Sequence, residues 1–309
     1  MLTRTLRGSG LSLSGLGSLA RQTAPRFWER YTQERRRPIA AAPFHPDLSK
    51  WTNTGLHAAW LGHSTVLLRI DGITILTDPV LRNRVGLNVG PVTLGIKRLV
   101  APALHLDELP RPDIILLSHA HMDHFDLPTL RALESKQTVV VTASKTSDLL
   151  RARRYRQVNE LGWGGAVRIG DAAIRAFQVN HWGARMRSDT YRGFNGYVIE
   201  TARHRVLFGG DTAMTNTFRG LRDSRGIDLA VMPIGAYNPW IHAHCTPEQA
   251  LRMANDAGAS FILPVHHQTF HLSNEPVQEP IRRLQAALEH DPHRLALHSI
   301  GQQFTLSSR

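Results

Sequence analysis

The hydrophobic pattern from about residue 55 onward predicts many strands and a smaller number of helices. Residues 57–79 contain two β-rich runs joined by Asp71-Gly72, a dipeptide typical of tight hairpin turns. A second pair of runs turns at Gly170-Asp171, and a third turns at residues 202–204. Short apolar runs rich in β-branched residues are typical of strands buried on both faces. Such runs occupy residues 113–119 and 227–236, and two further strands are predicted over residues 137–143 and 261–267.

Three segments have the pattern of helices. Residues 127–135 follow the first buried run, and residues 279–290 form the last candidate. The middle helix begins at Thr246-Pro247, with Gln249 placed to complete a capping box, and is expected to stop at Gly258. Because the strands outnumber the helices and first occur as hairpins, the pattern predicts an α/β fold with two mixed β-sheets covered by helices.

Composition favours a folded protein with a basic N-terminal arm. Of 309 residues, 42% are hydrophobic and 20% are charged, and the net charge is +12. Residues 1–37 contain eight arginines and two glutamates, a net charge of 8 − 2 = +6, so half of the excess lies in this segment. The rest of the chain is therefore only mildly basic, and no nucleic acid partner is expected.

Residues 1–40 are predicted to be a flexible arm, or to form a short amphipathic helix over residues 23–40. Such a helix could contact an anionic membrane surface. Residues 1–22 are alternatively a weak targeting or export segment. The only cysteine, Cys245, excludes an internal disulfide and fits a reducing compartment. The expected location is cytoplasmic, with peripheral membrane contact or export as alternatives.

The segment 119–124 places four metal-binding side chains within six residues, directly after a predicted buried strand. His119 and His121 are two residues apart on a tight turn, so both imidazoles can reach one ion. Asp123 and His124 follow where the next helix begins and can reach a second ion. Imidazole and carboxylate groups without cysteine suit Zn²⁺, with Mn²⁺ or Fe²⁺ as alternatives.

Three further candidate ligands each follow an apolar run: His181, Asp211 and His266. A buried imidazole or carboxylate in such a position is costly without a partner. The two glycines before Asp211 let the backbone approach a neighbour closely. The repetition of this pattern after the 119–124 motif predicts that the three side chains complete a metal site.

These motifs resemble the metallo-β-lactamase superfamily over roughly residues 55–300. The order HAHMDH, NHW, GGDT and PVHHQTF carries the broader resemblance. The chain is more narrowly similar to the N-acylphosphatidylethanolamine-hydrolysing phospholipase D branch. The motifs that carry this closer similarity are WLGHST at 60–65, LTDP at 76–79, HWGAR at 181–185, IGAYNPW at 234–240 and HCTPEQA at 244–250.

The resemblance implies a four-layer αβ/βα sandwich, with residues 55–305 as one metallo-β-lactamase-like hydrolase domain. It also implies two zinc ions per chain. One zinc would take His119, His121 and His181, and the other Asp123, His124 and His266, with Asp211 bridging them. The family typically has His-Trp-Gly-Thr-Phe where this chain has residues 266–270, HHQTF, which keeps the ligand and changes the pocket floor.

Such a ligand set leaves open coordination positions, as catalytic zinc sites do. Water between two cations is acidic enough to be hydroxide near neutral pH. The expected function is therefore a dinuclear zinc hydrolase, a phosphodiesterase of phospholipase D type that uses a metal-bridging hydroxide on a lipid-like or other organic phosphodiester. The alternatives are a lactonase on a sugar phosphate, similar to the ascorbate phosphate lactonases, a nuclease, and a non-catalytic metal-binding protein.

The candidate catalytic residues are Asp123, Asp211 and His244. His244 precedes the helix that begins at Thr246-Pro247, and we expect it to act as a general acid or to stabilise negative charge on the substrate. Its alternative role is to cap the loop. His63 and Asp78 are expected to orient metal ligands.

Other residues near the motifs have two interpretations. His267 is expected to face away from the site, because adjacent residues of a strand point to opposite faces. Tyr237 and Trp240 either wall the pocket or pack in the core. Arg185 and Arg187 either hold an anionic substrate or are solvated.

Overall fold

The computed structural model describes residue 34 and residues 36–90 and 92–307. The chain divides into two units, Met1–Pro38 and Ile39–Arg309, and the second contains the fold. The predicted arm of residues 1–40, with its targeting segment and its helix, lies almost entirely outside the described residues and stays a prediction. Within the described part of the chain, every helix is too short or too polar to cross a bilayer.

Two mixed β-sheets form the centre of the second unit. The first sheet contains β1 (Leu56–Gly62), β2 (Thr65–Ile70), β3 (Ile73–Thr77), β6 (Ile114–Leu116), β7 (Val139–Ala143), β8 (Gln157–Leu161) and β15 (Gln303–Leu306). Their spatial order is β15-β1-β2-β3-β6-β7-β8. The second sheet contains β9 (Ala166–Ile169), β10 (Ala172–Phe177), β11 (Gly196–Glu200), β12 (Arg205–Phe208), β13 (Ile227–Pro233) and β14 (Ala259–Val265), in the order β14-β13-β12-β11-β10-β9.

The three predicted hairpins are confirmed. β2 and β3 pair antiparallel across Asp71-Gly72, β9 and β10 pair across Gly170-Asp171, and β11 pairs with β12. A separate hairpin of β4 (Arg84–Val89) and β5 (Val92–Lys97) is not among the predicted elements. Its apolar residues alternate as in a strand, but glycines at 86 and 95 interrupt the pattern.

The α-helices described in the second unit are α1 (Leu127–Ala132), α2 (Pro247–Asp256) and α3 (Glu279–Ala287), and short 3-10 helices occupy Leu48–Lys50, Ser147–Leu149, Ala152–Arg154, Asn216–Leu221 and Pro292–Arg294. The capping box of α2 is present, because the Thr246 hydroxyl accepts from the Gln249 backbone N–H and the Gln249 side chain accepts from the Thr246 N–H. The Asp126 carboxylate caps α1 by accepting from the Thr129 backbone N–H. These side chains fix where the two helices begin.

Alternating side chains of the buried strands build the layers. In β13, Leu229 and Val231 join the core between the two sheets, whereas Ala230 and Met232 pack with α2 and α3 on the outer face. In β6, Ile115 faces the outer cluster that contains Leu130 of α1. A strand with apolar residues on both faces requires a cover on both sides. The predicted αβ/βα sandwich is therefore confirmed.

Chain direction within the sheets brings polar residues to one edge. β1, β3 and β6 run in the same direction, as do β10, β12, β13 and β14. Ligand sites of α/β sheets lie at the carboxyl ends of such strands. The residues that follow these ends are His63, Asp78, His119, His181, Asp211 and His266.

Gly210 lets the end of β12 approach the first sheet, and we expect alanine to be costly there. Its φ of +57° is left-handed, and a Cβ would lie 2.8 Å from both Ser118 Cβ and the Asn195 carbonyl oxygen. Gly170→Ala is the matched control, because Gly170 also has a φ of +57° but no neighbour within 4 Å of a Cβ. Chemical unfolding should give a loss of about 1 kcal/mol for Gly170→Ala and about 2–4 kcal/mol for Gly210→Ala. Equal losses would contradict the close approach.

Candidate metal centre

The carboxylate of Asp211 lies at the centre of a group of buried histidines. Its Oδ2 atom is 3.1 Å from Nε2 of His124 and 3.1 Å from Nε2 of His266. Three further ring nitrogens lie within 4.0 Å of the same oxygen: Nε2 of His181 at 3.8 Å, Nδ1 of His244 at 3.9 Å and Nε2 of His119 at 4.0 Å.

The candidate donors form two neighbouring groups beside Asp211. One group contains His119, His121 and His181, and the other contains His63, Asp123, His124 and His266. Within each group the donor atoms all lie within 4.8 Å of one another. The structure thus brings together all seven predicted ligands and places His63 beside Asp123. Two overlapping groups meet the same distance limit, one of Asp78, His119 and His124 and one of His181, Asp211 and His244. The division of the ligands between two ions therefore stays what the resemblance implies.

The chemistry of the donors fits transition-metal ions. Four donor atoms are buried and have no hydrogen-bond partner among the described residues: Nε2 of His119, His124 and His266, and Oδ1 of Asp211. Buried polar atoms are costly unless a partner satisfies them. Imidazole nitrogens and carboxylate oxygens that converge in this way are the usual donors of catalytic zinc sites. The residues therefore fit the binding of transition-metal ions.

Asp78 fixes the orientation of two of the histidine rings. Its Oδ2 lies 2.7 Å from Nδ1 of His124, and Ser118 Oγ, which donates to the same oxygen at 2.5 Å, lies 2.8 Å from Nδ1 of His119. The Ser118 backbone N–H also donates to Asp78 Oδ1 at 2.7 Å. With Nδ1 held in this way, Nε2 of each ring points toward Asp211.

Other contacts hold the remaining donors. Nδ1 of His181 donates to the Ala243 carbonyl oxygen at 2.9 Å, so Nε2 is the atom of this ring that could bind an ion, and it lies 3.3 Å from Nδ1 of His121. His63 Nε2 lies 3.0 Å from Asp123 Oδ2. The His266 backbone N–H donates to the His63 carbonyl oxygen at 3.1 Å, so the edges of the two sheets are joined beside the site.

Left-handed backbone conformations concentrate around the site. His63 has a φ of 51°, Asp78 of 31°, Ala236 of 64° and His266 of 64°. Such values cost about 1–3 kcal/mol for a residue with a Cβ and persist only where the surroundings enforce them. Each of these turns directs a side chain or the chain itself at the end of a strand, so local strain accompanies the placement of the site residues.

Burial and neighbouring charges shift the pKa values in opposite directions. Burial lowers the pKa of His63 and of His181 to about 3 and holds the pKa of His119 well below its usual value. Burial also opposes the charge on His124, but the carboxylates of Asp211 and Asp123 outweigh it and raise the pKa of His124. The ring of His124 beside it likewise keeps the pKa of Asp211 well below its usual value, although burial acts in the other direction.

A cavity of about 180 Å³ opens onto the donors. The three candidate catalytic residues, Asp123, Asp211 and His244, all line it. His244 is buried, and its Nδ1 has no hydrogen-bond partner among the described residues. The remaining lining residues are His121, His266, Ala236, Trp182, Trp240 and Leu272.

The structure decides several open interpretations. Trp240 lines the cavity, whereas Tyr237 is buried and its hydroxyl donates to Glu279 at 2.7 Å. His267 faces away from the donors and stacks on Trp60 at 4.5 Å. The alternation of side chains along a strand explains this only in part, because β14 ends at Val265. The left-handed backbone conformation at His266 also turns the rings of His266 and His267 in different directions.

Arginine and cysteine side chains near the motifs do not line the cavity. Arg185 donates from Nη1 to the carbonyl oxygens of Ala120 and Phe125, at 3.1 and 2.8 Å, and so braces the loop that carries the 119–124 motif. Arg187 is exposed. Cys245 is buried, its thiol donates to the Pro233 carbonyl oxygen, and burial raises its pKa, so it is no activated nucleophile.

Sequence comparison agrees with this geometry. Residues 74–267 match the model of the β-lactamase superfamily domain. An uncharacterized protein of Mycobacterium tuberculosis is 34% identical over 278 residues, which cover 86% of this chain and 73% of that protein. N-acyl-phosphatidylethanolamine-hydrolyzing phospholipase D 1 of Caenorhabditis elegans is 30% identical over 269 residues, which cover 81% of this chain and 73% of that protein.

Comparison with solved structures identifies the same fold. The structure of a metallo hydrolase from the hyperthermophilic archaeon Ignicoccus hospitalis matches with a TM-score of 0.63 at 18% identity. The match covers 83% of this chain and the whole of that one.

We expect the purified protein to bind about two transition-metal ions per chain, since seven donors converge on two positions. Asp211→Ala should lose most of this metal, because it removes the oxygen shared by both donor groups. Asp228→Ala, which changes an aspartate outside the donor groups, should keep it. Elemental analysis after dialysis measures the occupancy. Full occupancy in Asp211→Ala, or full hydrolytic activity after chelation, would refute the metal centre.

Arg185→Met should weaken metal binding, although Arg185 contacts no donor atom. The change leaves the Ala120 and Phe125 carbonyl oxygens without this partner and loosens the loop, so we expect the zinc dissociation constant to rise about 10–100-fold. Competition with a chromophoric chelator measures it. Arg187→Met, at an exposed position two residues later, is the control. An unchanged constant in Arg185→Met would show that the loop needs no brace.

Proposed function

The chain belongs to the metallo-β-lactamase superfamily of metal-dependent hydrolases, and we propose that it is a dinuclear zinc phosphodiesterase of phospholipase D type. One observation carries the proposal: donors from both predicted ligand sets line a single cavity, and Trp182, Trp240 and Leu272 form an apolar part of its wall. A structural zinc site is closed by its ligands, whereas a catalytic site keeps positions open to substrate. The cavity at the donors therefore supports an enzyme over a non-catalytic metal-binding protein.

The shape and chemistry of the cavity favour an ester that carries an apolar group. Polar donors form one part of its wall, and Trp182, Trp240 and Leu272 form another part. A phosphodiester of a lipid presents this combination, because an anionic phosphate is joined to long apolar chains. The relative from C. elegans, whose name describes hydrolysis of N-acyl-phosphatidylethanolamine, supports the same substrate class.

His119, His121 and His181 would hold one zinc ion, and Asp123, His124 and His266 the other, with Asp211 bridging. When bound, the two ions supply Lewis acidity toward a phosphoryl oxygen and lower the pKa of water. The chain itself supplies the orientation. Asp78 and Ser118 fix the rings of His124 and His119, and His63 holds the Asp123 carboxylate.

His244 lies where it can contact the substrate, although it also forms a candidate donor group with His181 and Asp211. It lines the cavity, and its unpartnered Nδ1 lies 3.9 Å from Asp211 Oδ2. A neutral imidazole carries one N–H, and burial lowers the pKa of His244 to about 4. We therefore assign His244 the second of its predicted roles, to donate a hydrogen bond to a phosphoryl oxygen as negative charge develops there.

A substrate panel tests the proposed reaction. Zinc-loaded enzyme should cleave N-acylphosphatidylethanolamine in mixed micelles to phosphatidic acid and an N-acylethanolamine, and should cleave bis(4-nitrophenyl) phosphate more slowly. Mass spectrometry identifies which ester bond breaks. Asp211→Ala is the matched inactive control. Clear opening of a sugar-phosphate lactone without phosphodiester turnover would transfer the function to the lactonase alternative.

His244→Ala should keep both metals and lower kcat on alkyl and nitrophenyl phosphodiesters by a similar factor, about 10–100-fold, because the lost hydrogen bond stabilises the same phosphoryl oxygens in both. His244→Asn retains an N–H donor and should recover part of the loss. A far larger loss on the alkyl ester, without recovery by asparagine, would instead assign His244 as the general acid, since a nitrophenolate departs without a proton.

A further inference from the structure

The hairpin of β4 and β5 has one apolar face. In an antiparallel pair, residues opposite each other point to the same side. The register pairs Val85 with Ile96, Leu87 with Leu94, and Val89 with Val92, so six apolar side chains share one face. The opposite face carries Asn88 and Thr93, whose side chains are hydrogen-bonded to each other at 2.8 Å, two glycines and, at the root of the hairpin, Arg84 and Lys97.

The outer part of this apolar face is exposed. The exposed fractions are 50% for Leu87, 60% for Val89, 55% for Val92 and 46% for Leu94. Single exposed apolar residues are common, but four adjacent ones on one face of a projecting element mark a binding surface. We call these four side chains the hairpin patch.

The hairpin patch is continuous with the metal cavity. At the root of the hairpin, Val85 is buried in a small apolar cluster with Phe270 and Leu272. Leu272 lines the cavity, and the ring of Phe270 lies 5.1 Å from that of His63. A surface held against the hairpin would therefore lie beside the mouth of the cavity.

Charge around the hairpin fits an anionic surface. The chain contains no aspartate or glutamate between Asp78 and Asp107, whereas Arg82, Arg84 and Lys97 lie at the root of the hairpin. Basic residues beside exposed apolar ones are typical of segments that bind anionic lipid surfaces. The exposed indole rings of Trp182 and Trp240 on the cavity wall add a further feature of membrane interfaces.

We propose that the hairpin patch docks onto the surface of an anionic lipid bilayer. The four apolar side chains near the tip of the hairpin enter the boundary between headgroups and acyl chains, and the basic root of the hairpin stays at the level of the lipid phosphates. This inference rests on the proposed function, because docking there would place the cavity mouth at the membrane, where a lipid phosphodiester is located. It assigns the membrane contact to the folded domain rather than to the N-terminal arm alone.

Vesicle binding by the full chain tests the proposal. Zinc-loaded protein should sediment with vesicles of phosphatidylcholine and phosphatidylglycerol, and less with phosphatidylcholine alone. Leu87→Ser combined with Leu94→Ser should lower the partition coefficient at least about tenfold, because two large apolar side chains no longer enter the lipid. Phe44→Ser is the matched control, since Phe44 is 48% exposed on another part of the domain. Hydrolysis of bis(4-nitrophenyl) phosphate should be unchanged in both variants.

Site-specific labelling provides a second measurement. The only native cysteine is buried, so a polarity-sensitive fluorophore can be attached to Val89→Cys alone. Its emission should shift to shorter wavelength when anionic vesicles are added, and a label on Phe44→Cys should not shift. This readout does not require the serine variant to be stable.

Three outcomes would overturn the docking surface. The first is equal vesicle binding by the parent and the serine variant, and the second is an unshifted label at residue 89. The third is a change in sedimentation from dimer to monomer in the serine variant without loss of vesicle binding, which would assign the patch to a second copy of this chain. Vesicle binding as expected without phosphodiester turnover would instead refute the proposed function and leave the docking surface in place.

Discussion

One carboxylate oxygen imposes the main constraint on this structure. Oδ2 of Asp211 lies within 4.0 Å of ring nitrogens from five histidines that belong to both halves of the fold. Such a concentration of buried polar atoms is costly by itself, since each group loses hydration. The fold therefore has to be stable without help from this region, and the apolar core between the two sheets supplies that stability. Ions bound here would couple the two sheets further, because their donors come from strands of each.

The site also requires that the donor nitrogens of the histidine rings point toward Asp211. Asp78 meets this requirement for His124 directly and for His119 through Ser118. Burial raises the pKa of Asp78, although its contacts with His124 and Ser118 lower it, so the group depends on those contacts to remain an effective acceptor. A change at Asp78 would thus release two rings at once. The orienting residues are for this reason as much part of the site as the donors.

Sequence alone predicts the parts of this site that depend on local patterns. Three features can each be predicted from a short stretch of sequence, because residues close together in the chain produce them. They are the 119–124 motif, the hairpin turn at Asp71-Gly72 and the capping box of α2. The direction of the strands then explains why His181 and Asp211 reach the same point. The hydrogen bonds from Arg185 to Ala120 and Phe125 could not be predicted from the sequence. Their acceptors are backbone carbonyl oxygens, and only the tertiary structure brings these atoms close to Arg185. The stacking of His267 on Trp60 is of the same kind.

The hairpin of β4 and β5 shows the limit of the rule that alternation predicts burial. Its apolar residues alternate as they would in a strand of a sandwich, yet only the root is covered, by Phe270 and Leu272. The glycines at 86 and 95 face each other, and a Cβ on Gly95 would lie 2.0 Å from the Val85 carbonyl oxygen. The two strands can cross so closely only without side chains at that point. The outer part of the apolar face, from Leu87 to Leu94, is therefore left exposed to solvent. Because exposed apolar side chains on one face are costly in water, this part of the hairpin is suited to contact another surface, as the proposed docking requires.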